Sequence, residues 1–471
     1  MFEQIDANTA ENTTWDVVIA GSSFSAMFFL RGLPAGRRVL LVEKGSVQDL
    51  EQLTQKGGAP LEDIAQQNTS GKDKEWTART GFGGNSNCWW GQVPRFHPND
   101  FELYERYGQG APWPVRYDDL EPYYTEVEEV MEVAGGGSDH LLPRSKPFPY
   151  AAHTPSRSDI ALFAARPDIW VSVPSARSNG GSRPICCANG FCSLCPIDAK
   201  FTILNGVDHF LTPQARLLPN SEVRALEMDA GRVVGVSVRG SDGRLRRIKS
   251  DVVALGANAI FNAAILMRSG IRNGSLGKYL HEQPSKYLEI DTDQPGYFGG
   301  TSITSHCYGF YDGDHRSHSA AVLIESYNAP TRIRPEVGKW TSRLRLKLIA
   351  EDLPQAENHV ALDANEEPRI FWSGHSDYAY QGLARALTGI EDVLPFAVER
   401  VVRSYAPATE AHIQGTHRMG TDPNASVVDA GLKLHGHSNV LALGAGVFPT
   451  SSPANPTLTL SALALYAGRN L

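Results

Sequence analysis

Apolar positions along the chain fall into short, separated runs whose spacing predicts alternating strands and helices. Trp15 to Ala20 (WDVVIA) has the density of a strand buried on both faces. It gives way to the turn Gly21-Ser22-Ser23-Phe24-Ser25-Ala26, then to helical spacing through Met27, Phe28 and Leu30, and a second run from Arg38 to Val42 ends at Glu43. Alternation over 232–239 and 244–253 predicts a small meander, and aromatic and acidic helices are expected over 100–134. Strand-like stretches follow at 286–290, 320–324, 343–349, 359–362 and 369–372, with one amphipathic helix over 379–403. Near the end, Val440 to Leu443 forms a buried strand that leads through Gly444-Ala445-Gly446 and a Pro-rich loop into a helix of small residues over 460–471. Only about residues 1–13 and 54–74 have the character of linkers.

The opening order of strand, tight turn, helix, strand and acid is that of a dinucleotide fold. Gly21 makes the turn, small residues let backbone N–H groups and the helix N-terminus reach a pyrophosphate, and Glu43 accepts from a ribose hydroxyl, as suits FAD or NAD. Ser23 and Ala26 replace two of the three glycines, so a purely structural βαβ unit, with Glu43 a solvated strand-end acid, is the competing reading. Gly444 and Ala445 look like a second backbone approach to the same cofactor.

Composition narrows the class. Hydrophobic residues make up 41% and charged residues 20%, as in an ordinary globular protein, and the net charge of -8 without a Lys/Arg block argues against a nucleic-acid partner. No apolar run approaches the length of a transmembrane helix, and the acidic, polar start does not resemble a signal peptide. The expectation is a cytoplasmic protein without a transmembrane segment, periplasmic only if a small partner subunit co-exports it. Four of the six cysteines (Cys186, Cys187, Cys192, Cys195) crowd into one loop. Four soft ligands so close, the last pair spaced C-x-x-C before Pro196, suit an iron-sulfur cluster, with reduced thiols, a disulfide or zinc as alternatives. Adjacent cysteines point apart in most backbones, so three ligands, Cys186, Cys192 and Cys195, would hold a [3Fe-4S] cluster.

The segments AHIQGTHRMG (Ala411 to Gly420) and NVLALGAGVFPTSSPANPTLT (Asn439 to Thr459) resemble those of the glucose-methanol-choline (GMC) oxidoreductases. So do Gly83-Gly84-Asn85-Ser86-Asn87, the stretch from Val223 through DVVALGANAI to LMRSGI, and GKYLHEQP. The resemblance implies an α/β fold, with a Rossmann-like FAD-binding domain (14–284 and 413–471, carrying helical and Cys-rich insertions over 100–200) and an inserted sheet-plus-helix substrate domain (285–412). It implies FAD as cofactor, held by the opening turn and Glu43, by Gly83, Gly84, Asn87 and Cys88, by the Val223 backbone and Gly256, and by Gly444, Ala445, Asn455, Pro456 and Thr457. His412 and Asn455, far apart in the chain, are implied to face the flavin and the substrate carbinol.

Elementary chemistry fits those roles. A His titrates near neutrality and can take the hydroxyl proton, whereas an Asn cannot ionise and can donate to the developing alkoxide. His417, nearer the Gly-Thr turn, is read as structural or close to the cofactor. The loop around Cys88 also resembles that of pyranose 2-oxidase-like members, in which a His at the corresponding step can be tethered to flavin; an unmodified, packed thiol is the expectation here. The Cys-rich loop resembles that of the large subunits of bacterial FAD-dependent glucose and fructose dehydrogenases, though its final spacing is shorter. The expected activity is oxidation of an alcohol or sugar hydroxyl, with electrons passed through the cysteine loop and its cluster to an acceptor protein or quinone. The rivals are an oxidase that makes peroxide and a flavin-binding subunit that has lost catalysis.

Overall fold

The structure is a computed structural model that describes residues 1–136, 141–294, 296, 299–328 and 339–471. Its larger sheet is built around Trp15–Ala20, which pairs in parallel with Val39–Val42 on one side and with the second half of Leu245–Leu255 on the other. Ala215–Leu218 extends the sheet beyond Val39–Val42. The first half of Leu245–Leu255 turns antiparallel to Arg232–Arg239, which pairs in turn with Glu222–Asp229. The second half runs beside His437–Ala442. The chain leaves Trp15–Ala20 towards one edge and returns on its other side, so the carboxyl ends of Trp15–Ala20 and Leu245–Leu255 flank a crevice at the point where strand order reverses.

Val17, Val18, Ile19, Leu40, Leu41, Val253 and Leu441 are fully or almost fully buried, so both faces of the parallel strands are covered. Small residues set how closely those helices pack. A Cβ on Gly32, at the end of helix Phe24–Gly32, would lie 2.6 Å from the Leu465 carbonyl oxygen, and one on Gly468 would lie 2.4 Å from that of Phe29. The C-terminal helix Thr457–Arg469 therefore nests directly on the first helix.

A second, antiparallel sheet runs in the order Val398–Tyr405, Ser285–Thr292, Arg343–Ala350, Val322–Tyr327, Ile303–Phe310 and Trp170–Ser172. Alternation sorts its residues. Leu288, Ile290, Ile324, Leu344, Leu346 and Leu348 share an apolar core with Leu383 and Ala386 of helix Asp377–Thr388. Their neighbours Tyr287, Glu325, Tyr327 and Lys347 turn to the opposite face.

The helix expected over 379–403 stops at Thr388. Gly389 caps it, a short turn follows, and beyond Pro395 the β-branched Val398, Val401 and Val402 join the sheet as an edge strand. The two stretches read as linkers are structured. Glu3–Gln4 extends the large sheet beside Ala215–Leu218, Asp6 caps helix Ala7–Glu11, Asp49 and Gln52 form a capping box on Leu50–Gln55, and Ala65–Asn68 pairs with Pro368–Trp372. Among the described residues, no helix is long and apolar enough to cross a membrane.

Candidate active site

The crevice at the strand ends is closed by backbone. Gly21 has φ +92°, and a Cβ there would lie 2.6 Å from the Gly256 carbonyl oxygen, so the two turns meet main chain to main chain. Ser23 occupies the N-cap position of helix Phe24–Gly32 without a side-chain capping bond, which leaves the first N–H groups of that helix without a side-chain acceptor from the cap. A cavity of about 140 Å³ at this point is bordered by Gly21, Ser22, Glu43, Val223 and Gly256. Ser23, Arg79, Asn85, Gly256 and Asn258 border both it and a second cavity of about 430 Å³. One elongated ligand with an anionic middle suits that pair of spaces. Arg79 stands at the junction with a buried Nε that has no hydrogen-bond partner among the described residues.

Glu43 anchors the turn as well as bordering the cavity. Its carboxylate accepts from Ser22 Oγ (2.6 Å), Gly45 N (2.9 Å) and Gly81 N (3.1 Å), and Ser22 Oγ in turn accepts from Gly83 N (3.0 Å). Burial pushes the Glu43 carboxyl above its ordinary value. Gly84 also borders the smaller cavity, whereas Phe24, Ser25, Cys88, Gly444, Ala445, Asn455, Pro456 and Thr457 border the larger. Of the residues expected around a cofactor, three border neither. Ala26 lies under Gly256, where an added Cβ would come within 3.0 Å of it; Gly83 packs behind the loop against Asn87; and Asn87 donates to the Phe82 carbonyl (2.9 Å) and faces another cavity.

His412 and Asn455 border the same larger cavity. The Gln283 amide N–H groups donate to the carbonyls of Ser452 (2.5 Å) and Ala454 (2.9 Å), so its Oε1 is the atom left to face His412 Nδ1 at 2.6 Å. That contact requires a proton on Nδ1, which leaves Nε2 as the basic atom. Burial pushes the His412 pKa down to about 4, so the ring is neutral at pH 7. Asn455 Oδ1 is buried and has no hydrogen-bond partner among the described residues. His417 borders neither cavity; it is fully buried with Nδ1 2.9 Å from Thr416 Oγ1, beneath Gly446.

The far wall of the cavity was not anticipated from the sequence. Tyr287, Glu325, Tyr327 and Lys347 come from three adjacent strands of the second sheet, with Tyr287 and Glu325 each paired in register with Lys347. Lys347 Nζ is 2.5 Å from Glu410 Oε2, and Glu410 also accepts from Ser285. Burial raises the Glu410 carboxyl. For Glu325, burial opposes ionisation, but His306 and Lys347 outweigh it and hold the carboxyl below its ordinary value. Gln283 belongs to the same omission. Its signal was its place in HEQP, two residues before the strand that carries Tyr287.

Among the described residues, the thiols of the cysteine loop are not gathered into one ligand set. Cys192 Sγ is buried 3.5 Å from Arg177 Nη1 and Ser302 Oγ, Cys186 Sγ lies 3.5 Å from Thr301 Oγ1, and Cys195 borders a separate cavity. No cysteine is in a disulfide, and among the described residues no three His, Cys, Asp or Glu side chains are gathered to hold a metal ion. Two buried cations organise the loop instead. Lys200 Nζ donates to the carbonyls of Asn87 (3.0 Å), Trp89 (2.7 Å) and Cys192 (2.7 Å), and Arg177 Nη1 donates to that of Trp90 (3.0 Å). Burial also raises the Cys88 thiol, which keeps it protonated beside the cavity.

Residues 354–464 match the family described as GMC oxidoreductase. The chain is 30% identical to 6'''-hydroxyparomomycin C oxidase of Streptomyces lividus, covering 99% of this chain and 92% of that protein. It is 29% identical to the fructose dehydrogenase large subunit of Gluconobacter japonicus, covering 82% and 79% respectively. Among solved structures it resembles pyridoxine 4-oxidase from Mesorbium loti, with a TM-score of 0.70 and 20% identity over 97% of this chain and 99% of that one.

Proposed function

The chain belongs to the GMC oxidoreductase family, and from that premise we propose that it oxidises the carbinol of a sugar or other small alcohol to a carbonyl, with FAD lying along the two joined cavities. The observation that carries this reading is a neutral histidine, its tautomer fixed by Gln283, facing the same cavity as Asn455 at the end of a dinucleotide crevice.

The close approach of Gly21 and Gly256, the start of helix Phe24–Gly32, the unpaired Arg79 Nε, Glu43 and Val223 suit the adenosine and pyrophosphate parts of FAD. Gly444, Ala445, Pro456 and Thr457 suit its ring system. Bound there, FAD supplies a two-electron sink for the hydrogen on the carbinol carbon. The chain's own contribution is to the proton and the charge. His412 Nε2 takes the hydroxyl proton, Asn455 donates a hydrogen bond to the oxygen as negative charge grows on it, and Gln283 keeps the imidazole in the competent tautomer. In this assignment residues 14–284 and 413–471 hold the cofactor and 285–412 shape the substrate side. The electron acceptor is proposed to be an external carrier or quinone, and no relay through the cysteine loop is invoked.

The test is anaerobic mixing of the yellow holoprotein with candidate sugars and alcohols. Bleaching of the flavin absorbance is expected with the right substrate. A protein that neither binds FAD nor bleaches with any of them would overturn the proposal. Readmitting air then separates the acceptors, because rapid recolouring with hydrogen peroxide would mark an oxidase.

A further inference from the structure

We propose that the substrate carries a protonated amine, which Glu325 and the aromatic side chains beside it receive while a hydroxyl of the same molecule lies against His412. This rests on the oxidase or dehydrogenase reading above and narrows its substrate class.

The charged side chains that border the cavity opposite the catalytic pair are two buried carboxylates, Glu325 and Glu410, and the Lys347 ammonium, with Arg345 against the neighbouring tyrosine rings. Lys347 is committed to Glu410, 2.5 Å away, and the Glu410 side chain is only 3% exposed. Glu325 is left without an equivalent partner although it is 1% exposed and borders the cavity. Its Oε2 accepts one long hydrogen bond from Tyr327 (3.3 Å), and its Oε1 has none among the described residues, where His306 Nε2 lies 3.8 Å away. His306 and Lys347 hold Glu325 ionised, yet its Oε1 accepts no hydrogen bond among the described residues, and an ionised carboxylate with an unfilled oxygen that borders a cavity suits a cation arriving there.

The surrounding rings fit the same guest. Trp90, Tyr287 and Tyr327 border this part of the cavity, with Trp90 and Tyr327 6.1 Å apart. Arg345 lies 4.4 Å and 5.0 Å from the ring centres of Tyr287 and Tyr327, so positive charge is accommodated against these rings. An anionic substrate would meet two carboxylates against a lysine that is already paired. A neutral polyol can donate hydrogen bonds to Glu325 but brings no positive charge to it.

The experiment uses matched trios: glucosamine, N-acetylglucosamine and glucose, and ethanolamine, N-acetylethanolamine and ethylene glycol. Each is mixed anaerobically with holoenzyme, and each is also titrated by tryptophan fluorescence without reference to turnover. The amine of at least one trio is expected to bind and to reduce the flavin at least tenfold more effectively than its acetylated and hydroxyl counterparts. Glu325→Asp should keep that preference, and Glu325→Gln should bring the three within a few-fold of one another. Equal or better reduction by the neutral members would overturn the amine proposal and leave the alcohol reading standing. Glu325-dependent binding of the amine with no bleaching by any compound would uphold the cation site and overturn the alcohol reading. The amine proposal fails equally if no amine binds better than its neutral counterparts.

Discussion

At the residue scale, the proposed base depends on an atom outside the reaction. His412 can take a proton only through a ring nitrogen that carries none, and Gln283 leaves Nε2 as that atom because both of its amide hydrogens are held by the Ser452 and Ala454 carbonyls. Gln283→Leu removes the acceptor at Nδ1 and is expected to lower the rate of flavin reduction about 10- to 100-fold, as loss of an orienting partner does elsewhere. His412→Ala removes the base itself and should cost about 10²- to 10⁴-fold. The pH profile provides a sharper check. Protonation disables the base, and the His412 pKa is pushed down to about 4, so kcat/KM should stay level from pH 7 to about 5 and fall below that. A limb near pH 6.5, read by stopped-flow absorbance, would show that the ring titrates like an exposed histidine. His412 and Asn455 were legible because each sits in a distinctive local phrase. Glu325 and Lys347 were not, since a polar residue on an alternating strand is written the same way whether it faces solvent or a cavity.

At the scale of elements, the crevice depends on turns that tolerate no Cβ. Gly21→Ala would combine a positive φ with a contact 2.6 Å from the Gly256 carbonyl. Gly36 offers the control, because its φ is +87° but nothing lies within 4 Å of its added Cβ. Strain at a left-handed position costs about 1–3 kcal/mol. Gly36→Ala should show that cost alone, and Gly21→Ala should show more, together with faster loss of flavin on gel filtration. Equal melting temperatures for the two variants would mean that the close approach of the turns is unimportant. Gly21 was legible because a tight strand-to-helix turn has few chemical solutions. The boundary of helix Asp377–Thr388 was less so: the apolar spacing continues past Gly389, and only pairing with Ser285–Thr292 makes 398–405 a strand.

At the scale of the molecule, the two sheets divide the work. One supplies the proposed cofactor crevice from consecutive strand and turn residues, and the other supplies the proposed substrate wall from alternate positions on separate strands, which exists only once their register is set. The first kind of site can be read along the chain; the second cannot. Folding both around polar cavities also buries histidines. His153, His281, His412 and His417 are each pushed down to about 4, with burial the leading cause. In the unfolded chain these groups take up protons near pH 6.5, so between about 6.5 and 4 the unfolded state binds more protons than the folded one. Their contribution to stability is therefore complete above pH 6.5 and is lost as pH falls towards 4, at up to about 1.4 kcal/mol per pH unit for each histidine. Buried carboxylates with raised values, Glu43, Glu351 and Glu410, act in the opposite direction, so the net slope alone is not diagnostic. The difference between two proteins is. His281→Gln removes one buried titrating ring, and urea midpoints measured from pH 7.5 to 4.5 should show a shallower acid decline than the parent by up to that same amount per pH unit. Parallel curves would mean that His281 has similar proton affinity folded and unfolded.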